Sequence, residues 1–138
     1  LMYDITDGAW DGVIYSNFAI SPVEDHPLVN RYRDAMARFS PENRFSAFSM
    51  SGFLFAEPVV EALRNAGREL TRERFMAEME ALDGFQGVGP EISYVPGQRQ
   101  GSRALKLDRC IGPQQTESLT DFQTSGIDID EAIRRMGL

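Results

Sequence analysis

The stretch GVIYSNFAISPVEDHPLVNRYRDAMARF, residues 12–39, decides the fold. Its first nine residues form a short, nearly continuous run of β-branched and aromatic side chains. That predicts a strand buried on both faces, as in a parallel sheet. Ser21-Pro22 closes the run, a polar Val23-Glu24-Asp25 follows, and Pro27 suits the first position of a helix. Beyond it Leu28, Tyr32, Ala35, Met36 and Phe39 recur at helical spacing and predict one apolar face. Strand, polar connection and amphipathic helix in that order indicate an α/β protein.

Downstream the pattern turns helical. Residues 40–43 (SPEN) break the first helix, and a second runs through FSAFSMSGFLFAEPVVEALRNA to Gly67, which suits a C-terminal cap. Phe48, Phe55, Val59, Leu63 and Ala66 can share its buried side. Pro58 interrupts it: the ring removes one backbone donor and crowds the carbonyl of Leu54, predicting a kink or a restart. Thr71 is the N-cap of a third helix, with Leu70 and Phe75 as a hydrophobic staple and Phe75, Met76, Met79 and Leu82 as its buried stripe. The glycines of residues 84–90 (GFQGVGP) are followed by no Gly-Lys-Ser/Thr and open no helix, so they read as turn chemistry and not as a phosphate cradle.

Residues 92–95 and 104–111 read as two strands that can form a hairpin. In the second, Leu105, Leu107 and Ile111 face one way and Lys106 and Asp108 the other. Residues 114–126 are polar. The chain closes on a short helix signal, with Asp128 as N-cap, Glu131 at its start, and Ala132, Ile133 and Met136 behind. At the other end, residues 1–12 read as a helix end or turn feeding the first strand. The spacing of Asp4, Asp7 and Asp11 does not match a calcium loop.

Composition narrows the function. The chain has 138 residues, 14 basic and 21 acidic, for a formal charge of −7. That suits one domain or a piece of a larger one, and no apolar run approaches the ~20 residues of a membrane span. Nucleic acid is not expected as a partner, because phosphate binding needs clustered positive charge. Cys110 and His26 are the only cysteine and histidine. An intrachain disulfide, a thiolate metal cluster and a multi-histidine site are thereby ruled out, and neither metal nor cofactor is expected. His26 reads as a polar residue at a helix start, and Cys110 as a small apolar core residue. Lys106 is the one lysine beside thirteen arginines, a compositional habit and not a site. The carboxylates fall on solvated helix faces or helix starts, so no enzyme is expected.

A family resemblance rests on ordered segments: the strand and helix of residues 12–39, the aromatic-rich helix FLFAEPVVEALRNAG, the helix opening TRERFMAEMEAL, and the strand region PGQRQGSRALKL. This succession, over residues 12–110, resembles the C-terminal part of solute-binding proteins of branched-chain amino-acid ABC transporters. These are the leucine/isoleucine/valine-binding family, with the type I periplasmic binding fold and its two Rossmann-like lobes. The resemblance implies a receptor that closes on a small-molecule ligand, amino-acid-like or an organic acid, and delivers it to ABC permease subunits outside the cytoplasm. A ligand-sensing regulator with the same fold, of the amide-responsive type, is the alternative.

In that scheme residues 1–112 span parts of both lobes, residues 113–138 form a polar tail, and residues 19–22 lie in the last crossover between lobes. Loops that hold the ligand's α-amino and α-carboxylate groups fall upstream of Leu1, so Leu1 reads as a cut edge. Self-association of the fragment is expected through apolar surface left bare. Three residues stand as ligand-proximal candidates: Asn17 and Phe18 at the carboxyl end of the first strand, where open α/β sheets bind ligands, and Phe48, where some relatives carry Tyr. Plain core or hinge packing is the other reading of each. Pro58 and the residues after Cys110 depart from the family pattern.

Overall fold

The computed structural model describes residues 2–43, 45–96, 100–124, 126 and 134–135. The tail helix expected from Asp128 lies outside the described residues, apart from Arg134 and Arg135, which are helical. A one-turn helix α1 (Met2–Ile5) and a series of turns lead into strand β1 (Ile14–Asn17). Helices α2 (Pro27–Phe39), α3 (Ala47–Ala66) and α4 (Arg72–Glu80) follow. Strands β2 (Ala104–Gly112), β3 (Gln115–Ser118) and β4 (Gln123–Thr124) then complete a four-stranded sheet.

The sheet is antiparallel throughout its described pairs. β2 is central, with β1 on one edge and β3 beside it, and β4 pairs with the start of β2. This corrects the expectation of a parallel, doubly buried first strand. β1 pairs antiparallel with β2 from Ile14↔Arg109 to Asn17↔Lys106, and no residue of it is fully buried. Its apolar run gave no hint of direction, because continuous hydrophobicity reports burial and not the sense of pairing. The expected hairpin of residues 92–95 with 104–111 is likewise replaced. Ile92 makes one isolated bridge to Phe85. The hairpin partner of β2 is β3, reached through Pro113 and Gln114, with Gly112 at φ +142 and Gln114 at φ +58. Residues read as a polar tail thus begin with two strands, whose backbone pairing does not depend on apolar side chains.

Helix starts and ends follow local chemistry. His26 caps α2, its Nδ1 accepting from the Leu28 amide at 3.2 Å, and Pro27 follows at the first turn. Ser46 and Ser49 form a reciprocal capping box on α3, and Thr71 caps α4 by accepting from the Arg74 amide. Gly67, at φ +65, ends α3 by donating to the Leu63 carbonyl.

The buried faces differ from those the spacing predicts. α2 buries Val29 and Tyr32 and leaves Phe39 exposed. α3 buries Met50, Pro58, Ala62 and Ala66, while Phe48, Phe55, Val59 and Leu63 turn outward. α3 is apolar on nearly every side, so periodicity does not select its buried face. The four-residue rhythm of Met50, Leu54, Pro58, Ala62 and Ala66 provides the flatter stripe. Pro58 sits inside one continuous helix, with no restart. In α4 no residue is fully buried, and Met76 is exposed. One core cluster joins Ala19, Ile20, Val29, Tyr32, Met50 and Val88, with Leu28, Met36, Phe53, Leu54 and Phe122 packed around it.

In β2 the expected alternation holds, and the polar face is the covered one. Lys106, Asp108 and Cys110 are buried, whereas Leu105, Leu107 and Ile111 are exposed. Alternation shows which residues share a face; it does not say which face is covered.

Candidate functional site

The carboxyl end of β1 organises the site. Asn17 stands opposite Lys106 in the sheet, so its side chain shares a face with Lys106 and Asp108. Its amide donates to Asp108 Oδ2 at 2.9 Å, and its carbonyl oxygen accepts from the Ala19 amide at 3.2 Å. The strand end is therefore tied down by a buried carboxylate just where the chain leaves the sheet.

That carboxylate belongs to a charged cluster. Lys106 Nζ lies 3.4 Å from Asp108 Oδ1 and 3.3 Å from Glu24 Oε2, and donates to Ser118 Oγ at 2.8 Å. Ser118 Oγ in turn donates to Asp108 Oδ1 at 3.0 Å. Lys106 is 4% exposed and Asp108 1%. Burying either charge alone is costly, and the ion pair with its supporting hydrogen bonds offsets that cost. Glu24 reaches in from the connection between β1 and α2, and in the same connection Ser21 Oγ meets Thr116 Oγ1 at 3.0 Å. The cluster thus fastens that connection to β2 and β3. Beside it, burial pushes the Tyr15 hydroxyl up to about 12, with electrostatic repulsion from Asp108 and then a contribution from Cys110 adding to the effect.

One residue further on, Phe18 leaves the cluster and enters an apolar cavity. Its ring stacks on Phe55 of α3, with centroids 6.4 Å apart and planes at 23°. The cavity has a volume of about 660 Å³. Its walls come from Phe18, α3 (Leu54, Phe55, Val59), Met79 of α4, the turn at Phe85–Pro90, and residues 100–105. Close backbone approach shapes that turn. A Cβ on Gly89 would fall 2.3 Å from Leu54 Cδ1 and 3.1 Å from the Phe18 carbonyl oxygen. A Cβ on Gly87 would fall 2.5 Å from Glu57 Oε2, the atom that accepts from the Val88 amide at 2.8 Å. The glycines serve packing, in keeping with turn chemistry.

The three sequence-derived candidates therefore separate. Phe18 lines the cavity. Asn17 is engaged by Asp108. Phe48, in the first turn of α3, is 75% exposed and is not among the lining residues. Sequence reasoning passed over Lys106, although a single lysine beside thirteen arginines was a signal. It also passed over Asp108, Phe55, Glu57 and Arg103, whose roles depend on neighbours distant in the chain. Cys110 is buried, as its residue type suggested. Among the described residues no group of three or more His, Cys, Asp or Glu side chains could hold a metal ion, and no helix is long and apolar enough to cross a membrane.

Comparison with known proteins adds an independent line. The model of a family described as periplasmic binding protein matches residues 4–111. Among solved structures, the chain is similar to a possible leucine/isoleucine/valine-binding protein from Rhodopirellula baltica SH 1. Identity there is 29%, the TM-score 0.68, and coverage 80% of this chain and 30% of that one. It is also similar to a branched-chain amino acid ABC transporter protein from Thermus thermophilus with bound valine (20% identity, TM-score 0.74, 91% and 36% coverage). A fatty acid ABC transporter substrate-binding protein from Thermomonospora curvata shares the fold at 16% identity and a TM-score of 0.70, over 87% and 32% of the two chains. The chain spans about a third of the length of these structures. No curated protein matches it.

Proposed function

The chain belongs to the periplasmic binding protein family, and on that premise we propose that it is part of an extracytoplasmic receptor that binds a small amino-acid-like or organic-acid ligand and presents it to an ABC importer. The observation that carries this reading is the family match over residues 4–111, and the apolar cavity at the end of β1 supports it. A receptor of this kind works by binding and closure, without bond chemistry. Phe18 contacts the ligand, Asn17 holds the strand end against Asp108, and the Glu24–Lys106 contact steadies the connection between sheet and helices. Phe48 stands apart from that surface. The permease and the location outside the cytoplasm are part of the same proposal.

The exposed apolar side chains of Ile14, Leu105, Leu107 and Ile111 lie on one face of the sheet. In the isolated 138-residue chain that face drives self-association, which light scattering detects as a mass above the 15.5 kDa of one copy.

Thermal shift tests the receptor reading. The full-length polypeptide carrying this sequence is melted with a panel of amino acids and organic acids. A ligand present at 100 times its Kd adds about 2.7 kcal/mol to stability and raises Tm by several degrees. No shift with any member of the panel overturns the assignment.

A further inference from the structure

We propose that Glu24 is a positioning residue: its ion pair with Lys106 clamps the helices against the sheet and thereby sets the affinity of the cavity that both of them wall. The inference rests on reading this chain as a solute-binding receptor and adds a control on its site.

The cavity lies on a seam. Phe18 and Leu105 reach it from the sheet side, whereas Phe55 and Val59 of α3 and Met79 of α4 face it from the helices. The chain crosses that seam directly after Phe18. Ala19 and Ile20 already belong to the core cluster with Val29 and Tyr32 of α2 and Met50 of α3.

The turn at residues 21–24 goes with the helices. The Glu24 amide donates to the Ser21 carbonyl at 3.0 Å. Arg33 of α2 donates to the Pro22 carbonyl from Nε at 3.2 Å and to the Glu24 carbonyl at 3.1 Å. The backbone of the turn is thus fixed to α2, while its side chains reach the other way. Glu24 Oε2 lies 3.3 Å from Lys106 Nζ of β2, and Ser21 Oγ lies 3.0 Å from Thr116 Oγ1 of β3. These contacts tie the helical body to the sheet.

The two ends of the Glu24–Lys106 contact are unequal. The Lys106 side chain is 5% exposed and keeps Asp108 Oδ1 and Ser118 Oγ as partners when Glu24 leaves. The Glu24 side chain is 39% exposed, so water takes the place of the ammonium on its carboxylate. Breaking this contact strands no buried charge, unlike breaking Lys106–Asp108. Its effect therefore falls on position more than on stability. Glu24 is not among the residues lining the cavity. Without the tie, the two walls meet in a smaller fraction of molecules, and apparent affinity falls with that fraction.

The experiment is isothermal titration of the full-length polypeptide with L-leucine and 4-methylpentanoate, one amino acid and one organic acid, and with any other panel member that raises its melting temperature. Glu24→Ala should melt close to the parent and bind the same probe about fivefold or more weakly. Glu24→Asp keeps the charge and should bind more tightly than Glu24→Ala. A staple then separates position from direct contact. Ser21→Cys with Thr116→Cys places two thiols where the hydroxyls lie 3.0 Å apart. A Cys110→Ala background removes the one native thiol of this sequence. Oxidised glutathione converts the two thiols to a disulfide and is itself reduced to two glutathione thiols, joining the turn to β3 without Glu24. In the Glu24→Ala chain the closed staple should restore the parent's affinity, and dithiothreitol should remove it again. Unchanged affinity in Glu24→Ala, a loss that the closed staple fails to restore, or thiols that never pair overturns this proposal and leaves the receptor reading standing. Binding of no panel member by the parent overturns both.

Discussion

Lys106 and Asp108 stand two residues apart on one strand, 3.4 Å between Nζ and Oδ1, both on the covered face while Leu105 and Leu107 point to solvent. The fold here commits its one lysine to a buried contact. Asn17, Ser118 and Glu24 complete the polar shell around the pair.

Removing the cation should be costly. Lys106→Met leaves Asp108 buried without its partner and is expected to destabilise the protein by about 3–5 kcal/mol. The double change Lys106→Met with Asp108→Leu should recover most of that loss, because replacing both charges removes the unpaired one. Urea unfolding of the two variants and the parent checks this. A double variant as unstable as the single one would show that the pair's value lies elsewhere.

Tyr15 provides a pH signature. Its hydroxyl ionises near 10 in the unfolded chain and is pushed up to about 12 in the folded one. Below pH 10 the group is protonated in both states and costs nothing. Between pH 10 and about 12 only the unfolded state loses the proton, so stability falls as pH rises through that window. The denaturant midpoint should fall more steeply in the parent than in Tyr15→Phe. Parallel curves would contradict the burial of the hydroxyl.

Much of the helical scaffold was legible. His26-Pro27, Thr71 and Gly67 each act within one turn of their own position, so caps and stops can be read locally. The sides of the elements were less legible. α3 carries apolar residues nearly all round, and Phe55 and Val59 are as apolar as the Met50 and Ala62 that are actually buried. In β2 the alternation was legible but not which face is covered, because the buried side is satisfied by an ion pair and not by hydrocarbon. β3 and β4 were missed because Gln115–Ser118 and Gln123–Thr124 join the sheet through backbone groups. Of the site, Phe18 was reachable from its place at a strand end. Arg103 and Glu57 needed the folded arrangement.

Tyr32 and Ser49 link two helices at one point. The buried tyrosine hydroxyl lies 2.6 Å from Ser49 Oγ and accepts from the Ser46 amide. Ser49→Ala disrupts the cap of α3 and strips that hydroxyl of a partner, at a cost of about 1–3 kcal/mol. Combined with Tyr32→Phe, the loss should fall short of the sum of the single changes, and chemical denaturation of the double-mutant cycle measures the coupling. Strict additivity would argue against the contact.

Gly89 tests the close approach of the turn to α3. With a Cβ 3.1 Å from the Phe18 carbonyl oxygen and closer still to Leu54, Gly89→Ala is overpacked and should destabilise by about 1–3 kcal/mol. It should also weaken any ligand held by the cavity, since Phe18 must shift. Gly84→Asn is the control: its φ of +66 is one asparagine tolerates, and space around it is open. An unchanged melting temperature for Gly89→Ala would refute the packing described.

Binding by the full-length polypeptide tests the central claim most directly, read by isothermal titration with the ligand that most raises its melting temperature. The receptor account predicts one saturable site per chain and a negative heat-capacity change from burying apolar surface. Heats that never saturate, or a stoichiometry far from one, would contradict it.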